Sequence, residues 1–99
     1  MIIVLGRIAA RPDSFDELRR LSLEHVHRSR AEPGCVAHAV HVDSEDPLCL
    51  VFVEKWKDAA ALAAHFKVAG SIEFVTKART LGATAPVIEI FEAKAASIG

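Results

Sequence analysis

The stretch Cys49-Leu50-Val51-Phe52-Val53-Glu54-Lys55-Trp56-Lys57-Asp58 decides how this chain folds. Together with Leu48 it reads as a strand. One face carries Leu48, Leu50, Phe52, Glu54 and Trp56, and the other carries Cys49, Val51, Val53 and Lys55. Both faces are largely apolar, so the strand needs cover on both sides. Asp58 offers an N-cap oxygen, and the alanine run leading to Ala64-His65-Phe66 reads as the helix it caps. A carboxylate, the only tryptophan and an imidazole nine residues later therefore stand near one end of a small fold.

Upstream, Ile2 to Ala10 is apolar at nearly every position and reads as a first strand, ended by Pro12. Asp13 or Ser14 caps a helix running to about Ala31, with Phe15, Leu18, Leu21 and Val26 on or near one face. Glu32-Pro33-Gly34 stops it, and Cys35 to Val42 forms the second strand, with His38 sharing a face with Val36 and Val40. The polar segment Asp43 to Pro47 turns the chain into the quoted strand. Downstream, the helix from Asp58 breaks near Gly70 and resumes from Ser71 to about Leu81, and Val87 to Glu92 forms a last strand. Residues 1–99 read as one domain, with a core of about 1–92 and a frayed tail over 93–99.

The order βαββαβ predicts an α+β, ferredoxin-like fold: a four-stranded antiparallel sheet with the helices on one face. Helices on one face leave the other apolar face open, in a chain that is already 52% hydrophobic. At about 25 cal/mol per Å², covering several hundred Å² there is worth many kcal/mol before association costs. A homodimer through the open sheet face is the expected solution.

Charge excludes some classes. Twelve basic and 13 acidic residues are interspersed to a net −1, which gives no general electrostatic basis for binding nucleic acid. No run of about 18 apolar residues is present to span a membrane, and Met1 to Leu5 is expected to be a strand rather than a leader. Cys35 and Cys49 lie in apolar strands without a CxxC pair, as expected of reduced thiols in a cytoplasmic protein.

Leu62, His65 and Phe66 lie at i, i+3 and i+4, which turns His65 toward the sheet. Glu54 and Trp56 share one strand parity, so on the helix side the three would meet in one cavity, and His38 could line it too. Taken singly, a core histidine, a strand-end carboxylate and a core tryptophan are the ordinary readings; their joint spacing favours a site. His25 and His27, two apart on a helix, face different ways and cannot chelate together, and His41 falls at a strand end. No histidine or cysteine pair has zinc-site spacing, so no bound metal is expected. No phosphate loop or nucleophile elbow is present.

Over about residues 1–92 the chain resembles the antibiotic biosynthesis monooxygenase family, whose members form dimeric α/β barrels. The matching features are Glu32-Pro33-Gly34-Cys35, the hairpin Asp43 to Pro47, Glu54-x-Trp56, and His65 nine residues on. The resemblance implies one of three activities: cofactor-free oxygenation of quinols or polyketides, haem degradation, or isomerisation of a phosphorylated sugar. The haem-degrading members carry an asparagine where this chain has Gly6, a tryptophan at the place of His65 and a haem-ligating histidine near Val75, so haem is not expected here. Quinol-oxidising members commonly carry a second histidine where this chain has Gly70.

The expected activity is therefore a monooxygenase acting without flavin, haem or metal on a small aromatic (quinol, phenol or polyketide-like) and dioxygen. His65 would be the base, Glu54 would orient or polarise it, and Trp56, Phe66 and His38 would bind the ring. A base with an ordinary pKa near neutrality suits that task. Two alternatives stay open: an isomerase moving a proton between carbons of a small metabolite, and a dimeric binding module without turnover.

Overall fold

A computed structural model describes all 99 residues. The elements run β1 (Ile2–Ala9), α1 (Phe15–Ser29), β2 (Cys35–Val42), β3 (Cys49–Trp56), α2 (Ala59–Lys67), α3 (Ala69–Leu81) and β4 (Val87–Glu92). The strands form one antiparallel sheet in the order β2-β3-β1-β4. This is the ferredoxin-like arrangement anticipated from the sequence, with the second helical segment divided in two.

The division falls at Val68, two residues before the glycine at which the sequence placed it. Val68 is extended (ψ 129°) and its N–H bonds to the His65 carbonyl, so it closes α2 and opens α3. Asp58 caps α2 as expected, its carboxylate accepting the Ala61 N–H at 2.9 Å.

Strand parity held on β3: Leu50, Phe52, Glu54 and Trp56 are all buried on the helix side. On β2 it failed at the first residues. A register shift between Cys35 and Ala37 pairs Cys35 with Trp56 and His38 with Glu54. Cys35 and His38 therefore share the helix side while Val36 is exposed, because a bulge inserts one residue and reverses the alternation.

The core has two parts. The larger joins Ile8, Leu18, Leu21, Val26, Leu50, Phe52, Phe74 and Ala78 across sheet, α1 and α3. The smaller joins Ile2, Val4, Trp56 and Leu62 under α2. All six residues of β4 are exposed, and Leu5, Val87 and Phe91 stand open to solvent.

Candidate functional site

Three imidazoles converge between these two cores. Helix α1 turns Leu18, Leu21, Ser22, His25 and Ser29 inward at helical spacing, so His25 is buried beneath it. His38 comes from β2 and His65 from α2, both also buried. The ring centre of His25 lies 5.3 Å from that of His38 and 5.2 Å from that of His65. Phe74 stacks on His25 at 4.3 Å, and Trp56 lies against His65 at 4.6 Å.

Each ring has its own carboxylate or guanidinium neighbour. Nδ1 of His65 donates to Glu32 Oε1 at 2.8 Å, with Ser71 Oγ 3.4 Å from the same nitrogen. Nδ1 of His25 accepts from Arg28 Nη2 at 2.6 Å, since a guanidinium has donors only. Glu54 Oε1 accepts the Trp56 indole N–H at 2.9 Å and stands 3.2 Å from His38 Nε2, a charge-pair distance without hydrogen-bond alignment. Both nitrogens of His38 are otherwise sealed in without a partner.

These contacts set the charges. His25 is pulled down to about 3, first by burial and then by the neighbouring His38, His65 and Arg28, so its ring is neutral across the physiological range. Burial pushes Glu54 toward the neutral acid, but the approach of His38 and the Trp56 N–H outweigh it. Its pKa lies below the ordinary glutamate value, and it is a carboxylate.

A cavity of about 480 Å³ opens over the site between the sheet, α2, α3 and β4. His25, Glu54 and His65 stand in its wall among Phe52, Phe66, Phe74 and other apolar side chains. No protein group bonds Nε2 of His25 or of His65, and neither nitrogen is sealed off as those of His38 are.

The residues expected from the sequence are thus divided. Glu54 and His65 line the cavity, and the 47%-exposed Phe66 lines it too. Trp56 and His38, expected to touch a substrate ring, do not line it: both are packed behind it, Trp56 with no exposed surface. The physical reason is the pairing of Cys35 with Trp56 and the closure of α2 over that end of the sheet, which seal both side chains in. Glu54 does not hold His65 either; its bonds go to Trp56 and its nearest imidazole is His38. The carboxylate on His65 is Glu32, read in the sequence only as part of a helix stop.

His25 was the other residue missed. Its spacing of four from Leu21 and seven from Leu18 already placed it inward.

One ring nitrogen from each of His25, His38 and His65 lies within 4.8 Å of the others, a cluster of metal-ligand types that sequence spacing did not foretell. While Arg28 occupies Nδ1 of His25, the single proton of that neutral ring sits on Nε2, and His25 has no free lone pair for a cation. The remaining pair, His38 and His65, is two ligands short of a closed tetrahedral site.

A family model for antibiotic biosynthesis monooxygenases matches residues 1–77. The chain is 35% identical over 91 residues to "Uncharacterized protein sll1783" of Synechocystis, covering 92% of this chain but only 62% of that protein. It is 31% identical over 81 residues to "Putative monooxygenase YcnE" of Bacillus subtilis, covering 82% of this chain and 85% of that one. A crystal structure described as a "putative antibiotic biosynthesis monooxygenase" from Deinococcus radiodurans superposes with a TM-score of 0.94 at 26% identity, over 99% of this chain and 97% of that one. Rv0793 from Mycobacterium tuberculosis superposes at 0.90 and 21% identity, over 98% of each chain, a likeness of fold alone.

Proposed function

The chain belongs to the antibiotic biosynthesis monooxygenase family, and from that premise we propose that it oxidises a small aromatic quinol or phenol with dioxygen, without a flavin, haem or metal. The observation that carries this reading is His65: its Nε2 is open to an apolar, phenylalanine-lined cavity while its Nδ1–H is held by Glu32. A neutral imidazole fixed in that tautomer presents a lone pair at Nε2, which is a general base aimed into the cavity.

The chemistry needs little more than this. His65 takes the proton of a ring hydroxyl, and the electron pair stays on oxygen. The electron-rich anion then reduces dioxygen itself. For a quinol, one oxygen atom enters the ring and the other leaves as water, giving a hydroxyquinone; the substrate supplies all four electrons. The protein's part is to exclude water, orient the ring and hold the proton. Phe52, Phe66 and Phe74 provide apolar walls for a flat ring. Glu54 sets the local charge at the cavity floor, and Trp56 and His38 support it from behind. We further infer that the working unit is a homodimer closing the open face of the sheet.

The test is oxygen uptake by metal-stripped protein with a panel of quinols and polycyclic phenols, comparing wild type with His65→Ala. Uptake should fall by on the order of 10²–10⁴ in the variant. Equal rates would remove His65 from the mechanism. No uptake by either protein, together with exchange of a substrate carbon-bound proton into solvent, would replace oxygenation with isomerisation.

A further inference from the structure

His65 is not the only ring nitrogen open to the cavity, and the second one is of the opposite kind. Arg28 Nη2 lies 2.6 Å from Nδ1 of His25 and can only donate to it. The neutral ring must then carry its proton on Nε2, and that N–H has no acceptor within the protein. Glu32 fixes the reverse arrangement on His65: Nδ1 carries a proton, so in the neutral ring the lone pair is on Nε2. Two identical side chains, with ring centres 5.2 Å apart, thus face the same cavity as one donor and one acceptor.

We propose that His25 is a second catalytic residue, a neutral hydrogen-bond donor to the oxyanion that forms when His65 deprotonates the substrate. Arg28 is its positioning residue. The proposal rests on the function proposed above for the base, and deepens it by assigning where the negative charge goes. The O–H bond breaks toward Nε2 of His65, the electron pair remains on oxygen, and Nε2–H of His25 bonds to that oxygen without giving up its proton. The ring centres are 5.2 Å apart and both rings stand in the wall of one cavity, and the proposal seats the substrate oxygen between their Nε2 atoms.

The surroundings keep the donor in that state. Phe74 stacks on the ring at 4.3 Å and fixes its plane. Burial first, then the adjacent His38, His65 and Arg28, hold its pKa down to about 3, so the ring itself brings no charge to the cavity. A preorganised donor set among apolar side chains is an arrangement that stabilises developing charge. Gly70 makes the Arg28 contact possible: a Cβ there would sit 2.5 Å from Arg28 Nε and 2.7 Å from its guanidinium carbon. The bare backbone of α3 at that point is the slot that admits the guanidinium to His25.

The test uses two readouts that need no oxygen. The first is nitrogen-15 NMR of the histidines in the free protein. His25 should be protonated at Nε2 and bare at Nδ1, and Arg28→Met should mix the tautomers; a wild-type His25 protonated at Nδ1 overturns the proposal with or without any ligand. The second is absorbance titration of bound 4-nitrophenol, a phenol that reports its own ionisation. Wild type should favour the bound phenolate, and His25→Phe, which keeps a flat ring against Phe74, should weaken binding of phenolate by about 10-fold or more relative to neutral phenol. His25→Gln, which retains an N–H near the same place, should recover part of that preference. An unchanged phenolate preference in His25→Phe overturns the proposal. With an oxidisable quinol, loss of the donor should lower kcat by on the order of 10²–10³. If the His25 tautomer and the phenolate preference are found but no quinol consumes oxygen, the donor stands and oxygenation fails. If oxygen is consumed equally by wild type and His25→Phe, oxygenation stands and the donor fails.

Discussion

Glu32 contributes a single bond to His65, and that bond selects which imidazole nitrogen faces the cavity. Glu32→Ala frees the ring to take either tautomer, and the activity should drop on the order of 10-fold to 1,000-fold while the fold persists. Stopped-flow rates beside unchanged far-ultraviolet circular dichroism would check this; an unaltered rate would leave Glu32 a structural contact only. His25 has a different signature, in stability. Unfolded, it takes up a proton below pH 6.5; folded, it stays neutral down to about pH 3. Between those values the unfolded chain binds more protons, so stability rises with pH and is lost on acidification. One such proton costs about 1.4 kcal/mol per pH unit, or about 2–3 kcal/mol by pH 4.5. His38, His65 and Arg28 deepen this loss and Glu54 partly offsets it. Glu54, with its own lowered pKa, adds a loss of the same sign below the ordinary glutamate range. Urea unfolding between pH 7 and 4.5 should show a steep decline in wild type and a shallower one in His25→Phe. Parallel curves would clear His25 of the effect.

At the scale of elements, the site depends on how the α1–β2 turn meets α2. Gly34 has φ +81°, a left-handed conformation that glycine enters at little cost, and its carbonyl accepts the Lys57 N–H at 2.8 Å. A Cβ at Gly34 would also lie 2.5 Å from the Ala61 Cβ. The bare turn therefore lets the first turn of α2 settle on it, which carries Glu32 to His65. Gly34→Ala should destabilise by about 1–3 kcal/mol, a fall in Tm on the order of 10 °C for a domain of this size. Adding Ala61→Gly should remove the steric part and leave the backbone part, a distinction that calorimetry of the two variants resolves. A Gly34→Ala protein as stable as wild type would mean that turn and helix can move apart freely.

Across the whole molecule, the sheet has a covered face and an open one. Ile3 pairs with Phe91 and Lys55, Leu5 with Val53 and Glu89, and Arg7 with Val51 and Val87, all on the side away from the helices. Leu5 and Phe91 are exposed there, and Val51 and Val53 are only partly covered. A second copy laid on this face would bury the strip, and this supports the homodimer inferred above. Val53→Asp would force a carboxylate into that contact, and sedimentation at micromolar concentration should then show dissociation or unfolding. A folded, stable wild-type monomer at the same concentration would remove the dimer.

The order of strands and helices, the shared parity of Leu50, Phe52, Glu54 and Trp56, and the turning of His65 toward the sheet were all determined by local rules. Apolar side chains repeat at two on a strand and at 3.6 on a helix, and Pro33, Gly34 and Asp58 punctuate those repeats wherever the chain goes. His25 was legible by the same helical spacing from Leu18 and Leu21. The bulge that turned Cys35 inward was not legible, because it arises from pairing with β3 and leaves no mark in β2 alone. Nor were the bonds of Glu32 to His65 and Arg28 to His25, or the withdrawal of Trp56 and His38 behind the cavity. Glu32 and His65 are 33 residues apart, and no periodicity spans that distance. Sequence patterning decides which side chains go inside. Which nitrogen meets which oxygen there depends on how separate elements dock, to within an ångström, and only the tertiary structure decides that.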